Sequence, residues 1–171
     1  IALIHLANTS GTTAIEIKKQ YERIAEVPFS AKTKMMGTLH KGPKGSFVAA
    51  KGSVEHLLVK CNRIQVGSAI EILKEDNTQN ILAASEKMAA QGLRVLAFAF
   101  REDTEIDHEN YLKDLIYVGM IGFLDPPRLD IKEAMVTCRK AGIKIVMITG
   151  DHPLTALNIA KKTGLVNEDE E

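Results

Sequence analysis

The stretch KMMGTLHKGPKGSFVAAKG, residues 34–52, decides the fold of the first half of this sequence. Two apolar runs flank KGPKG, and glycine and proline are the residues that tight turns prefer. The pattern therefore predicts an antiparallel hairpin whose second strand ends at Lys51 and Gly52. A lone lysine is usually a solvated surface charge, but a cation directly after the apolar run FVAA is harder to explain in that way.

Further elements are predicted on both sides of this hairpin. The apolar runs RIAEVPF, LRVLAFAF and LIYVGMIGFL predict strands, with LRVLAFAF in the centre of the sheet. Helices are predicted over residues 1–7, 12–20, 54–61 and 80–91. Ser53 is the expected N-cap of the third helix and Gly92 the expected C-cap of the fourth. From these patterns the segment over residues 24–52 is expected to consist of short antiparallel strands.

Composition and charge restrict the class of function. The chain has 171 residues, is 45% hydrophobic, and contains 22 basic and 22 acidic residues. Without a net positive field, nucleic acid is not an expected partner. Cys61 and Cys138 form no CxxC pair, which indicates a reducing compartment and argues against structural zinc. No apolar run approaches the roughly 18 residues of a membrane helix, and IALIHLA lacks the features of a signal peptide.

The pattern changes at residue 125. Two consecutive prolines in DPPR predict a stiff connector over residues 125–128. Beyond it, a helix over 129–141, the strand IKIVMI over 143–148, and a helix over 153–163 form an αβα unit of a doubly wound sheet. Ligands of such sheets bind at the carboxyl ends of strands, beside the next helix N-terminus.

The residues at that position are Thr149, Gly150 and Asp151. The hydroxyl of Thr149 can donate to a phosphate oxygen, and Gly150 allows the backbone to approach a ligand closely. Asp151 has two possible roles, because its carboxylate can cap the following helix or hold a hydrated magnesium ion.

Four motifs, FVAAKGSVEHLLVKC, GLRVLAFAFR, GFLDPPRLDIKEAMVTCRKAGIK and MITGDHPLTALNIAKKTGLV, occur in one order along the chain. In this order they resemble the cytosolic part of P-type cation-transporting ATPases, in particular the calcium-pump-like type II pumps. The resemblance implies an α+β nucleotide-binding domain over residues 1–124, with an antiparallel sheet flanked by helices. It also implies part of a doubly wound, haloacid-dehalogenase-like phosphorylation domain over residues 129–171. It also implies an interdomain hinge formed by Asp125, Pro126, Pro127 and Arg128.

The resemblance also implies which residues bind adenine nucleotide. Phe29 matches the aromatic on which adenine stacks, although a Phe after a proline in a strand is also typical of a core position. Lys34 and Lys51 match lysines that line the pocket, and Gly52 leaves room for the purine. Arg94 matches an arginine that contacts the phosphates, with a partly buried structural ion pair as the alternative.

The expected activity is that of the parent pump. By the resemblance, Thr149, Gly150 and Asp151 face an aspartyl-phosphate and its magnesium ion. The aspartate of the DKTGT motif and the GDGxND motif are absent from this sequence. We therefore expect a soluble fragment of the cytoplasmic part of a longer membrane protein. It would bind ATP without hydrolysing it, and its partners would be the transmembrane, actuator and remaining phosphorylation segments.

Other classes of phosphate-handling enzyme require motifs of their own. A haloacid-dehalogenase phosphatase would need a DxDx[TV] loop, and a P-loop enzyme would need GxxxxGK[ST]. The sequence contains neither motif. The remaining alternative is a non-catalytic nucleotide-binding or scaffolding module. The transported ion is not specified, because the ion-coordinating residues of such pumps belong to membrane helices.

Overall fold

The computed structural model describes residues 2–9, 11, 13–104, 106–107, 109–124, 128, 130–150 and 153–166. Over these residues, six helices and seven strands follow one another along the chain. They are α1 (Ala2–Thr9), α2 (Ala14–Gln20), β1 (Glu22–Val27), β2 (Met35–Gly42), β3 (Gly45–Gly52), α3 (Val54–Leu58), β4 (Cys61–Val66), β5 (Ala69–Ile72), α4 (Glu75–Ala90), β6 (Leu93–Asp103), β7 (Leu115–Leu124), α5 (Ile131–Lys140) and α6 (Pro153–Thr163). None of these helices has the length and apolar character needed to cross a lipid bilayer.

The strands form a sheet in the order β1-β2-β3-β6-β7-β4-β5. The pairs β1–β2, β2–β3, β3–β6 and β4–β5 are antiparallel, whereas β4 and β7 are parallel. The expected antiparallel sheet with flanking helices is therefore confirmed in part, because the parallel β4–β7 pair makes the sheet mixed. The sequence reasoning missed the β4–β5 hairpin. All four residues of β5, AIEI, are exposed, and an apolar run this short cannot be assigned to a strand or a helix by periodicity alone.

Two compact units make up the chain. The first contains Ile1–Glu75 and Ala97–Gly119, and the second contains Asp76–Leu96 and Met120–Glu171. Strands β6 and β7 each contribute residues to both units.

The predicted hairpin forms the centre of the first unit. Strands β2 and β3 pair from Met35 opposite Gly52 to Gly42 opposite Gly45, so the KGPKG turn is confirmed. Alternate residues of β3 are buried, among them Val48, β2 adds the buried Leu39, and α3 adds the buried Leu57. Each such side chain contributes about 1.5–3 kcal/mol to folding, which makes this apolar face the main support of the unit.

Helix ends in the first unit differ in how they are capped. Thr13 begins α2 with a capping box, in which its hydroxyl accepts from the Glu16 backbone N–H and its own N–H donates to the Glu16 carboxylate. Ser53 occupies the N-cap position of α3, but its side chain makes no capping bond. Its hydroxyl instead contacts Nδ1 of His56 at 2.8 Å. The predicted position of the Ser53 cap is right, and the predicted capping bond is absent.

The second unit packs α6 against the residues that join α4 to β6. The Thr155 hydroxyl donates to the carbonyl of Leu93 at 3.3 Å, and the Asn158 amide donates to the carbonyl of Ala90 at 3.1 Å. Gly92 lies between them with φ 80°, where a Cβ would meet the Asn158 side chain. The predicted glycine at the end of α4 is therefore confirmed, and it also allows this close approach.

Helices α5 and α6 are confirmed close to their expected bounds, but the strand predicted between them is wrong. Residues 143–150 have no regular secondary structure. Val146 is 68% exposed and Ile148 is 94% exposed. A strand needs at least one neighbouring strand to pair with its backbone N–H and C=O groups, and no described strand pairs with this segment.

Candidate functional site

Phe29 lies on the segment that connects β1 to β2. Its ring is 64% exposed, so the alternative of a core aromatic does not hold. The turn that follows is built on Ser30, whose hydroxyl accepts from the N–H groups of Lys32 and Thr33 at 3.2 and 3.4 Å. The Lys34 N–H donates to the Ser30 carbonyl at 2.7 Å. These local bonds hold the turn and leave the aromatic ring open to solvent.

The backbone of Lys34 joins this turn to the end of β3. Lys34 has φ 47°, in the left-handed region that residues other than glycine seldom adopt. Its carbonyl accepts from the Ser53 N–H at 2.9 Å, and the next residue, Met35, pairs with Gly52. The structure therefore brings Lys34 beside the Lys51–Gly52 dipeptide, as the sequence hypothesis requires of a shared site.

Lys51 lies on the face of β3 opposite to the buried residues. Val48, Ala50 and Gly52 are buried, whereas Lys51 is partly exposed, because side chains alternate across a strand. Met36 on β2 and Phe98 on β6 pair directly with Lys51. Sequence reasoning missed these two neighbours, since they can be identified only when the strand register is known.

Aromatic rings continue along the Lys51 face of the sheet. The Phe47 ring lies 5.1 Å from that of Tyr21 and 5.9 Å from that of Phe100, centroid to centroid. His40 pairs with Phe47 on this face, and its Nε2 contacts the Thr38 hydroxyl at 2.8 Å. Burial lowers the pKa of His40, with a smaller lowering from Arg23 and an opposing hydrogen bond to the Tyr21 backbone. The face beyond Lys51 is therefore apolar and carries a histidine that favours its neutral form.

Gly52 lies where the backbones of β3 and of Lys34–Met35 approach closely. A Cβ at this position would stand 2.6 Å from Cβ of Met35 and 2.7 Å from the Lys34 carbonyl oxygen. Real Cβ atoms do not tolerate such distances, so only glycine fits here without movement of the Lys34–Met35 backbone.

The other predicted site residues are in the second unit. Arg94 is exposed on β6, and Thr149 and Gly150 are exposed ahead of α6. A Cβ on Gly150 would meet no atom within 4 Å. Asp151 lies outside the described residues. The sites assigned to Arg94, Thr149, Gly150 and Asp151 therefore stay predictions.

The predicted hinge is described only at Arg128. Its guanidinium donates to the Asp130 carboxylate at 3.2 and 2.8 Å, at the start of α5. Asp125, Pro126 and Pro127 lie outside the described residues. Among the residues that are described, no three His, Cys, Asp or Glu side chains come close enough together to hold a metal ion.

The fold and the first unit define a class of protein. An α+β domain with a mixed sheet presents an exposed aromatic ring and two lysines close to one strand end, an arrangement suited to a ligand with both a flat base and negative charge. A family model described as "P-type ATPase, cytoplasmic domain N" matches residues 1–130. The chain belongs to the P-type ATPase family, which confirms the resemblance recognised in the sequence.

Individual relatives agree with this family. The calcium-transporting ATPase 1 of Bacillus cereus is 38% identical over 170 residues, which cover 98% of this chain and 19% of the relative. The cation-transporting ATPase pma1 of Synechocystis sp. is 38% identical over 173 residues, which cover 98% of this chain and 19% of the relative. The potassium-transporting ATPase alpha chain 2 of Cavia porcellus is 31% identical over 185 residues, which cover 99% of this chain and 18% of the relative. The chain thus spans about a fifth of the length of these relatives.

Proposed function

We propose that this chain binds ATP through its first unit, with Phe29, Lys34 and Lys51 as the principal contacts. The observation that carries the proposal is the exposed ring of Phe29, held on a turn whose end is hydrogen-bonded beside Lys51. An apolar ring that is left in water at this position is available for a ligand. The phosphate contact that the family position implies for Arg94 is a separate proposal, because Arg94 belongs to the second unit.

Each contact has a distinct physical role. Adenine stacked on the Phe29 ring gains about 1–3 kcal/mol, as in other base–aromatic contacts. The ammonium groups of Lys34 and Lys51 donate charge-assisted hydrogen bonds to phosphate oxygens. Met36 and Phe98 flank Lys51 on its face of the sheet and supply apolar surface beside it. With binding groups from this chain alone, we expect a dissociation constant of roughly 1 mM, which corresponds to about 4 kcal/mol of binding free energy.

Residues 129–171 are proposed to be part of the haloacid-dehalogenase-like phosphorylation domain, joined to residues 1–124 by the hinge at 125–128. Two features support this proposal: helices α5 and α6 lie close to their expected positions, and the apolar segment 143–148 between them is exposed. In the complete domain this segment would pair with strands from outside the chain. Pairing would bury Ile148 and place Thr149, Gly150 and Asp151 at the end of a sheet strand.

Magnesium belongs to this proposal only through the parent protein. The described residues provide no cluster that fits a metal ion, and one carboxylate from Asp151 would be too few ligands by itself. When bound with ATP in the complete pump, the ion would neutralise phosphate charge. The chain's own residues bind and orient the nucleotide, and Thr149 donates a hydrogen bond to the phosphoryl group.

The parent protein is proposed to be a P-type ATPase that couples ATP hydrolysis, through an aspartyl-phosphate formed outside this chain, to cation transport. The domain would lie on the cytoplasmic side of the membrane. Relatives of this one segment are named for calcium, potassium and sodium/potassium transport. Such breadth is expected of a domain that binds the shared nucleotide rather than the transported cation.

The test of this proposal is a titration of the 171-residue chain with ATP and with ADP, followed by NMR chemical shifts. We expect saturable shifts that centre on Phe29 and Lys51 and survive chelation of magnesium. Lys51→Met should weaken binding by about tenfold, because a charge-assisted hydrogen bond is lost. Lys44→Met, at the exposed tip of the hairpin, is the matched control and should leave binding unchanged. Absence of any shift at millimolar ATP would refute the proposal and leave a scaffolding role.

A further inference from the structure

We infer that a backbone clasp, formed by Lys34, Met35, Gly52 and Ser53, positions Phe29 and Lys34 for nucleotide binding. Gly52 and Ser53 are thereby positioning residues: they act through their backbone contacts with Lys34 and Met35, and their side chains do not touch the ligand. This inference rests on the nucleotide-binding function proposed above. It adds Ser53 to the site and gives Gly52 a second role, and neither side chain contacts the ligand in these roles.

The first part of the clasp is the close approach at Gly52. Gly52 lies on the buried face of β3, opposite to the face that carries Lys51. The atoms that a Cβ would meet are Cβ and Cα of Met35 and the carbonyl oxygen of Lys34. Two of these three atoms belong to the backbone, so no rotation of a side chain can relieve the collision. Glycine at this position sets how near the Lys34–Met35 backbone lies to β3.

The second part of the clasp is a pair of hydrogen bonds through Lys34. The Ser53 N–H donates to the Lys34 carbonyl at 2.9 Å, and the Lys34 N–H donates to the Ser30 carbonyl at 2.7 Å. Lys34 adopts its left-handed φ of 47° between these two bonds. A strained residue of this kind persists only where its surroundings hold it, and such residues cluster at ligand sites.

Besides the clasp, this segment is supported by the pairing of β1 with β2, which ends at Val27, and by the local bonds to the Ser30 hydroxyl. Residues 26–29 and 31–34 are all exposed, and only Ser30 is partly covered. Apolar packing therefore does not fix the turn that carries Phe29. In contrast, β3 and α3 on the other side of the clasp have a buried core that includes Val48, Val54 and Leu57. The clasp transmits the rigidity of this core to the exposed turn.

Ser53→Pro is the variant that breaks the clasp with the least other change. Ser53 has φ −63°, which a proline ring adopts without strain. Proline removes the N–H that Lys34 accepts and places its ring where that hydrogen lay, so the Lys34 carbonyl must move away. The Ser53 carbonyl, which accepts from the Leu57 N–H in α3, is retained. Ser53→Ala loses only the hydroxyl contact to His56 and keeps the N–H, so it is the conservative variant that should rescue binding.

The measurement is ATP affinity of the 171-residue chain by NMR titration. We expect Ser53→Pro to weaken binding by about tenfold, and Ser53→Ala to bind like the parent chain. A double-mutant cycle then separates positioning from general damage. Lys34→Met should weaken ATP binding in the parent chain and have no further effect in Ser53→Pro, because the lysine is already displaced. The same cycle can be measured with Gly52→Ala in place of Ser53→Pro. In that variant, too, Lys34→Met should cause no further loss of ATP affinity.

The outcomes distinguish this inference from the proposed function. If the parent chain binds no ATP, the proposed function itself is refuted. If the parent chain binds ATP and both Ser53→Pro and Gly52→Ala bind equally well, the clasp is refuted while the binding function stands. Full additivity of Lys34→Met with either clasp variant also refutes positioning. The shifts of the buried Leu39 and Val48, which pair with each other farther along the hairpin, report whether the core of the first unit remains folded in each variant.

Discussion

Phe29 is the residue at which ligand binding and folding stability can be separated. About a third of the ring surface is buried in the free chain, since 64% is exposed. Complete burial of a Phe side chain contributes about 1.5–3 kcal/mol, so Phe29→Ala should lower the free energy of unfolding by only about 0.5–1 kcal/mol. For a chain of this size that corresponds to a fall in Tm of about 1–4 °C.

The effect of Phe29→Ala on ATP binding should be larger than its effect on stability. Loss of base stacking worth about 1–3 kcal/mol weakens binding by about 5- to 150-fold. Phe29→Leu is the decisive companion variant, because leucine keeps apolar volume but has no ring. It should hold Tm near that of the parent chain and still lose most of the affinity, whereas Phe29→Tyr should keep both.

Calorimetric melting and NMR titration with ATP, done on the same samples, measure the two quantities. Val59→Ala is the control for the removal of an exposed apolar side chain in the same unit, and it should change neither quantity. A fall in Tm well beyond 4 °C together with unchanged affinity would mean that the Phe29 ring packs in solution and does not stack on adenine.

Three further predictions follow from other parts of the chain. Amide hydrogens of residues 143–150 should exchange much faster than those of Ala97, Ala99 and their neighbours in β6, and equal protection would show that the segment is paired. Burial raises the pKa of the Cys61 thiol to about 12, and burial together with Cys61 raises the pKa of Tyr117 to about 12. The folded chain keeps these protons where the unfolded chain has released them, so the free energy of unfolding should fall as the pH rises above about 8.5. Cys61→Ala should reduce that slope in denaturant titrations, and an unchanged slope would contradict the assignment. With γ-labelled ATP and magnesium, the chain should form no acid-stable phosphoprotein and release no phosphate. Asp151→Asn should leave both results unchanged. Label on the protein would show that the chain contains a nucleophile for the phosphoryl group.

The parallel strand predicted at IKIVMI shows what a local pattern cannot supply. Its apolar residues do have the composition of a buried strand, and the helices on both sides form close to where the sequence places them. A helix satisfies its backbone within its own segment, so α5 and α6 need no distant partner. A strand depends on neighbours, and without them residues 143–148 remain irregular and exposed.

The sequence by itself determined the β2–β3 hairpin, since its turn residues and apolar runs are adjacent in the chain. Its motifs also identified the family and selected Phe29, Lys34 and Lys51. Only the tertiary structure decided that β4 lies parallel to β7, because parallel pairing joins segments separated by a long crossover. Only the strand register placed Met36 and Phe98 beside Lys51. The need for glycine at position 52 likewise follows only from the close approach of the Lys34–Met35 backbone to β3. Contacts between residues distant in sequence depend on the three-dimensional arrangement of strands, which no local pattern contains.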